Sequence, residues 1–286
     1  MFYNLAFQRG MHKLYLCLVF GFLLSIGMGA LSQSKEVWVE AEGEAAIAGI
    51  TAEQAMLLAL QRARAAAIEK ATGVKISSVT LVKDARLSGE FIKAFSKGYI
   101  IQEKCTWDKS VYQKSPDKPA IFTYKVKLKA KVVIPEKDIK PGFLLEARLN
   151  RTVFRNGEKV KISIRPTQDA YIAIFNWTAD DKISLLFPNQ YLLNNLIQGG
   201  TWFTFPPEGS GLALKVETLP KHKQDTEALF VVALDKETGT SIPFCNIFSS
   251  GSQFKVANFF RKYIKLPIEK AIEKILIYEV RKERNE

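Results

Sequence analysis

Acid–base and nucleophilic catalysis need a histidine, a cysteine or paired carboxylates held close together. This chain offers few of them: two histidines and three cysteines in 286 residues. His12 lies in the N-terminal leader, and His222 stands between Lys221 and Lys223 in a basic stretch that reads as a solvent-exposed loop. A lone exposed imidazole beside two ammonium groups makes a poor metal ligand and a poor triad base. No phosphate-cradling glycine loop, HExxH, CxxC or EF-hand pattern occurs, and Gly209-Ser210-Gly211 lacks the frame of a nucleophile elbow. Asp169, Asp180 and Asp181 are the acids a carboxylate-dependent hydrolase would use, but turn chemistry accounts for them better. The reading is therefore a non-enzymatic protein without a metal or cofactor.

The residue types better represented are those that bind. Tyr191, Asn194 and Trp202 cluster in sequence after Phe187-Pro188-Asn189. Rings stack on sugars and amides hydrogen-bond them, so this cluster suits a glycan or a peptide. The Phe-Pro-Asn triplet has a simpler account: Pro fixes a turn torsion, Asn hydrogen-bonds its own backbone, and Phe anchors the turn. Lys125, Lys127, Lys129 and Lys131 alternate with Tyr124, Val126, Leu128, Ala130 and Val132. On an antiparallel strand they form one row on the wet face. That row would attract lipid headgroups or polyanions, or simply keep the sheet soluble and discourage edge pairing. It lacks the interleaved aromatics of a nucleic-acid platform.

The elements that position these residues begin after a leader. Residues 1–13 carry Arg9 and Lys13 and no acid, and Leu14 to Leu31 run without a charge. A positive region followed by an apolar one is a secretory signal, and Ala30-Leu31-Ser32 offers a small-x-small cleavage site. The competing reading is an uncleaved anchor helix in the inner membrane, near the lower length limit for spanning a bilayer. Either way the rest is exported, as a periplasmic or secreted protein. The net charge of +12 biases it toward anionic partners. Cys105 and Cys245, in different halves, read either as separate buried thiols or as a pair in an oxidising compartment.

Residues 35–135 read as a small α/β domain. Val37, Val39 and Ala41 alternate with polar residues, the period of a strand. Thr51 and Gln54 form a capping box and Gly73 a C-terminal stop. Between them Met56, Leu60, Ala63, Ala67 and Ala71 predict an apolar stripe, with Arg62, Arg64 and Lys70 on the solvated face. Strands are expected over Val74–Val82 and Tyr99–Trp107, with a short helix around Glu90–Phe95. The run Ala41–Ala45, Ala59–Gly73, Val74–Val79, Lys97–Ile100 and Tyr124–Val132 resembles the N-terminal domain of flagellar assembly protein T. That resemblance implies a helix packed on an antiparallel sheet and a scaffolding role within an envelope assembly.

Pro135 to Gly142 is a proline-bounded connector. Residues 141–286 then read as a β-sandwich-like domain with a C-terminal helix. Leu145–Leu149 alternates, Asn156-Gly157 predicts a hairpin turn, and Val160–Ile164 supplies the return strand. Tyr171–Trp177 and Ala228–Leu234 are apolar on both faces, as strands in the middle of a sandwich must be. Ile183–Phe187, Phe203–Phe205 and Leu212–Val216 add strands. Phe254, Ala257, Phe260, Arg261 and Ile264 have helical spacing, and Ile275–Val280 ends the chain as a strand or a helix end. Phe154–Val160, Asp169–Ile172, Leu185–Asn189, Asn194-Asn195, Gly199-Gly200 and Phe205-Pro206 are similar to the domain of unknown function 4384. The resemblance implies an envelope-associated accessory module without an assigned activity.

The combined expectation is an α+β protein that binds an envelope protein or an anionic envelope polymer, with no nucleic acid and with peripheral membrane association open. A peptidoglycan- or oligosaccharide-binding module is the alternative, and a carboxylate-dependent hydrolase the least favoured.

Overall fold

A computed structural model describes residues 34–74, 91–92, 94–113, 115–117, 120–238, 244–249 and 251–282. The leader read over residues 1–32 and nearly all of the strand read over Val74–Val82 lie outside the described residues.

The chain is α+β. Strand β1 (Lys35–Ala46) leads into helix α1 (Ala52–Thr72), and the long strands β2 (Tyr99–Tyr112) and β3 (Ile121–Ile134) follow. Their sheet has the antiparallel order β1-β3-β2. Helix α1 starts where its cap predicts: the Thr51 hydroxyl accepts the Gln54 N–H and the Gln54 side chain accepts the Thr51 N–H. It stops at Gly73, whose φ of 71° is the left-handed form glycine adopts freely. The buried stripe differs from the expected one. Ala63 and Ala67 lie in it, but the remaining buried members are Ala55, Ala59 and Ile68 with the polar Gln61 and Arg64, while Met56, Leu60 and Ala71 are only half-buried. The helix is rotated so that its smallest residues meet β1. A Cβ built on Gly43 would stand 2.1 Å from the Ala59 carbonyl oxygen and 2.5 Å from the Ala63 nitrogen, so helix and strand touch backbone to backbone.

The second half adds β4 (Leu145–Leu149), β5 (Val153–Arg155), β6 (Lys159–Val160), β7 (Ile162–Pro166), β8 (Ala170–Trp177), β9 (Lys182–Phe187), β10 (Leu196–Ile197), β11 (Phe203–Phe205), β12 (Leu214–Lys215) and β13 (Gln224–Asp235). Helix α2 (Phe244–Ile247), β14 (Gln253–Lys255), helix α3 (Val256–Tyr263) and β15 (Ala271–Arg281) complete it. The helix read near the C-terminus is α3, and a strand follows it. The principal sheet has seven strands, β14-β9-β8-β13-β15-β5 with β10 beside β8, and a three-stranded sheet β11-β7-β4 faces it.

Strands β8 and β13 are buried on both faces because each face serves a different core. Ile172, Ile174, Leu229, Val231 and Ala233 point toward the three-stranded sheet and meet Leu145, Ile162 and Ile164. Ala173, Phe175, Trp177, Phe230, Val232 and Leu234 point the other way, into a core shared with α1, β3 and α3. Phe260 stacks on Phe95 at 4.8 Å and on Tyr99 at 5.1 Å, joining residues from both sides of the connector. Ser34–Glu286 accordingly forms one compact unit.

The Asn156-Gly157 turn is present, with Gly157 at φ 79°, but it does not join a hairpin. Strand β5 pairs in parallel with β15, and β6 pairs with β12. The turn is held from outside, because Asn156 Oδ1 accepts the Thr218 N–H at 2.9 Å and the Gly157 N–H reaches the Val216 carbonyl at 2.8 Å. No helix of the described residues is long and apolar enough to cross a membrane.

Candidate functional site

Alternation on the three-stranded sheet turns Ala147, Ile162 and Ile164 inward, so Glu146, Arg148, Ser163 and Arg165 face out. Trp202 immediately precedes β11, which pairs with β7 through Phe203↔Ile164. This register sets Trp202 beside Arg165. The Arg148 and Arg165 guanidinium carbons stand 4.4 and 4.9 Å from the indole centroid, within cation–π range. Arg165 also holds Glu146 at 2.5 Å. Among the described residues no carboxylate lies within ion-pair distance of Arg148. Trp202 keeps 38% of its surface exposed. An indole beside an unneutralised guanidinium can stack on a sugar ring and hold a carboxylate or phosphate on it. The sequence reading found Trp202 and missed both arginines, because their meeting depends on strand register.

The Phe187-Pro188-Asn189 triplet is structural. Phe187 packs 5.1 Å from Phe203 and 5.5 Å from Phe205. The peptide before Pro188 is cis. Asn189 donates to the Leu186 carbonyl at 2.7 Å and accepts the N–H groups of Tyr191 and Leu192 at 2.9 and 3.0 Å. The turn leaves Tyr191 71% exposed at its tip, beside exposed Leu193. Asn194 spends its carbonyl oxygen on the Leu196 N–H at 3.1 Å. Trp202 is thus linked to this loop through the Phe187–Phe203 contact, while the two asparagine side chains close their own turns.

The lysine row is neutralised across strands. On β1 the register opposes Glu40, Glu42 and Glu44 to Lys129, Lys127 and Lys125. Lys125 meets Glu42 at 3.0 Å, Lys127 meets Glu42 at 3.9 Å, Lys129 meets Glu40 at 3.8 Å, and Lys131 pairs with Glu36. Its hydrogen bond to Lys125, then the charge of that ammonium, holds the Glu42 carboxyl below its ordinary range. The face is a ladder of opposed charges and not a uniform cationic strip. Such exposed pairs add little stability, but they remove most of the row's pull on a polyanion.

The acids proposed for a hydrolase are dispersed in structural roles. Asp169 accepts the Gly199 N–H at 2.9 Å and faces Lys236 at 3.3 Å. Asp180 accepts from the Thr178 hydroxyl and pairs with Lys182, both at 2.6 Å. Asp181 is buried, pairing with Arg64 and accepting the Trp177 indole N–H at 3.0 Å. This corrects the placement of Arg64 on a solvated helix face. The side chain is buried because three charges meet there: its Nε and Nη2 atoms hold Glu103 at 2.8 and 2.6 Å while Nη1 holds Asp181. Burial alone would weaken the guanidinium's proton affinity, but Asp181 and Glu103 outweigh it and raise it.

His222 is also not in free solvent. Its side chain is 12% exposed and its Nδ1 lies 2.6 Å from buried Asp225, which also accepts the Leu219 N–H. A β-turn with Lys221 in the left-handed region at φ 68°, closed by the His222 N–H to the Leu219 carbonyl, folds the imidazole back toward Asp225. Cys105 and Cys245 are free thiols, each half-buried and each with its pKa raised by burial.

Glu227 is an acid that sequence reading passed over. It precedes the apolar run Ala228–Leu234, and that position, an acid on a strand buried on both faces, was the available signal. It receives the Tyr278 hydroxyl at 2.7 Å. Burial pushes its carboxyl from 4.5 up to about 7, against the Tyr278 hydrogen bond. The unfolded chain therefore ionises this group at lower pH than the folded one. Its contribution to stability is complete below about 4.5 and falls as pH rises through about 7, a loss on the order of 3 kcal/mol. Glu227→Gln is expected to flatten stability over that window, measured as denaturant midpoints from about pH 4 to about pH 8. An unchanged slope in the variant would contradict the assignment.

A protein-family model described as "Domain of unknown function (DUF4384)" matches residues 153–220. The match runs from β5 to β12 and takes in the Phe-Pro-Asn turn and Trp202, but not Arg148 on β4 or the long strands β13 and β15. No curated protein and no solved structure matches the chain.

Proposed function

We propose that this chain is an exported, envelope-associated accessory protein that acts by binding. The leader over residues 1–32 supports export. The observation that carries binding is Trp202, held exposed on the outer sheet with Arg148 and Arg165 at its ring. Guanidinium beside indole favours an anionic envelope polymer over a neutral one. Peptidoglycan or a plain oligosaccharide stacked on Trp202 near Asn194 is the alternative. The N-terminal half, a helix on an antiparallel sheet, supports the scaffolding role implied by its resemblance to the N-terminal domain of flagellar assembly protein T. It would fix the binding face within an assembly.

Retention on purified cell wall tests the reading. The purified chain is expected to sediment with the wall at low salt. Trp202→Ala should lower retention about fivefold or more, since stacked aromatic contacts are worth roughly 1–3 kcal/mol. Equal retention of the variant would remove Trp202 from the site.

A further inference from the structure

We propose that β2 is a self-association edge through which two copies join into a six-stranded sheet, antiparallel about a two-fold axis at Thr106. Strand β2 is the outer strand of its sheet. Among the described residues no strand pairs with its free side. Helix α3 covers its beginning, where Tyr99 stacks on Phe260. After the irregularity between Ile100 and Gln102 the ladder to β3 runs unbroken to Tyr112. That stretch is mostly exposed, with Trp107 at 37% and Val111 at 57%. A long, exposed edge is what monomeric sheets avoid, since its free N–H and C=O groups template another strand.

The sequence of the edge selects the occupant. With Thr106 opposite itself, Lys104 meets Asp108 of the second copy, and the symmetry repeats the pair. Gln102 meets Ser110 on the same face. On the other face Glu103 meets Lys109 and Cys105 meets Trp107, covering the exposed indole. A shift of two residues per strand either way loses both charge pairs. Larger shifts set Lys104 on Lys104 or Asp108 on Asp108, which is unfavourable across strands. Within one chain Lys104 is directly opposite Lys129, a like-charge neighbour. The second copy's Asp108 would offset that repulsion. Glu103 already holds Arg64 and Lys109 lies 4.6 Å over the Phe122 ring; Asp108 stands opposite Lys125 in its own chain, but that lysine pairs with Glu42, so Lys104 and Asp108 are the pair that sets the register.

Sedimentation velocity of the purified chain over a micromolar concentration series is the test. The wild type is expected to show a monomer–dimer equilibrium. Lys104→Asp and Asp108→Lys should each weaken it about tenfold or more, and the double exchange should restore it, which a merely structural role for either residue would not do. Thr106→Cys in a Cys105→Ser background should form a disulfide-linked dimer with oxidised glutathione, because only an axial residue meets its own copy. A wild type that stays monomeric throughout, or a dimer indifferent to both single exchanges, would overturn the proposal. So would failure of the axial cysteine to cross-link.

Discussion

Arg64→Ala is expected to cost about 3–5 kcal/mol of stability, because removing one member of a buried charge cluster leaves the others uncompensated. Glu103 and Asp181 would then face each other's neighbourhood without the guanidinium that holds both. The triad joins α1, β2 and the turn between β8 and β9, elements far apart in sequence. Its loss should therefore shift the whole unfolding transition and not only fray the N-terminal half. A denaturant titration followed by both fluorescence and circular dichroism measures this. Arg64→Met combined with Glu103→Gln and Asp181→Asn should lose less than Arg64→Ala alone, since no bare charge remains buried. A cost under about 1 kcal/mol for Arg64→Ala would show that the cluster behaves as a surface pair.

Gly43→Val should be nearly as damaging, at about 3 kcal/mol. Even the first added carbon would enter the Ala59 carbonyl at 2.1 Å, and two backbones cannot yield as a side-chain end can. The helix would have to lift from β1, opening the alanine stripe at Ala55, Ala59 and Ala63 to water. Thermal unfolding of the variant against wild type reads this directly. A melting temperature within a degree or two of wild type, about what 0.5 kcal/mol gives, would mean that the contact is looser than described.

Local signals carried well from sequence to structure. The Thr51 box and the Gly73 stop placed both ends of α1, because caps are read within four residues. Strict alternation placed β1, β3 and β4, and the two-faced apolar runs of β8 and β13 told that both of their faces are covered. Long-range register did not carry. Nothing within residues 125–131 says that the lysines face a row of glutamates on β1. Arg148, Arg165 and Trp202 are separated along the chain and meet only because β4, β7 and β11 are neighbours. Arg64 sits in a charge-rich helix face, where burial was decided by Glu103 and by Asp181, 117 residues away. The Asn156-Gly157 turn formed as its residues dictate, yet its flanking strands went to separate sheets, since turn chemistry fixes a bend and not the partners beyond it.

The binding face proposed on the outer sheet has the same origin. Inward apolar residues of β4 and β7 fix the sheet against the principal core, and that leaves the arginines and Trp202 outward on a rigid support. The most direct measurement is co-sedimentation of the purified chain with insoluble cell wall across a salt series. Strong retention at low ionic strength, lost on raising salt and lost in Trp202→Ala, is the predicted result. A chain that stays in the supernatant at the lowest salt would contradict the account.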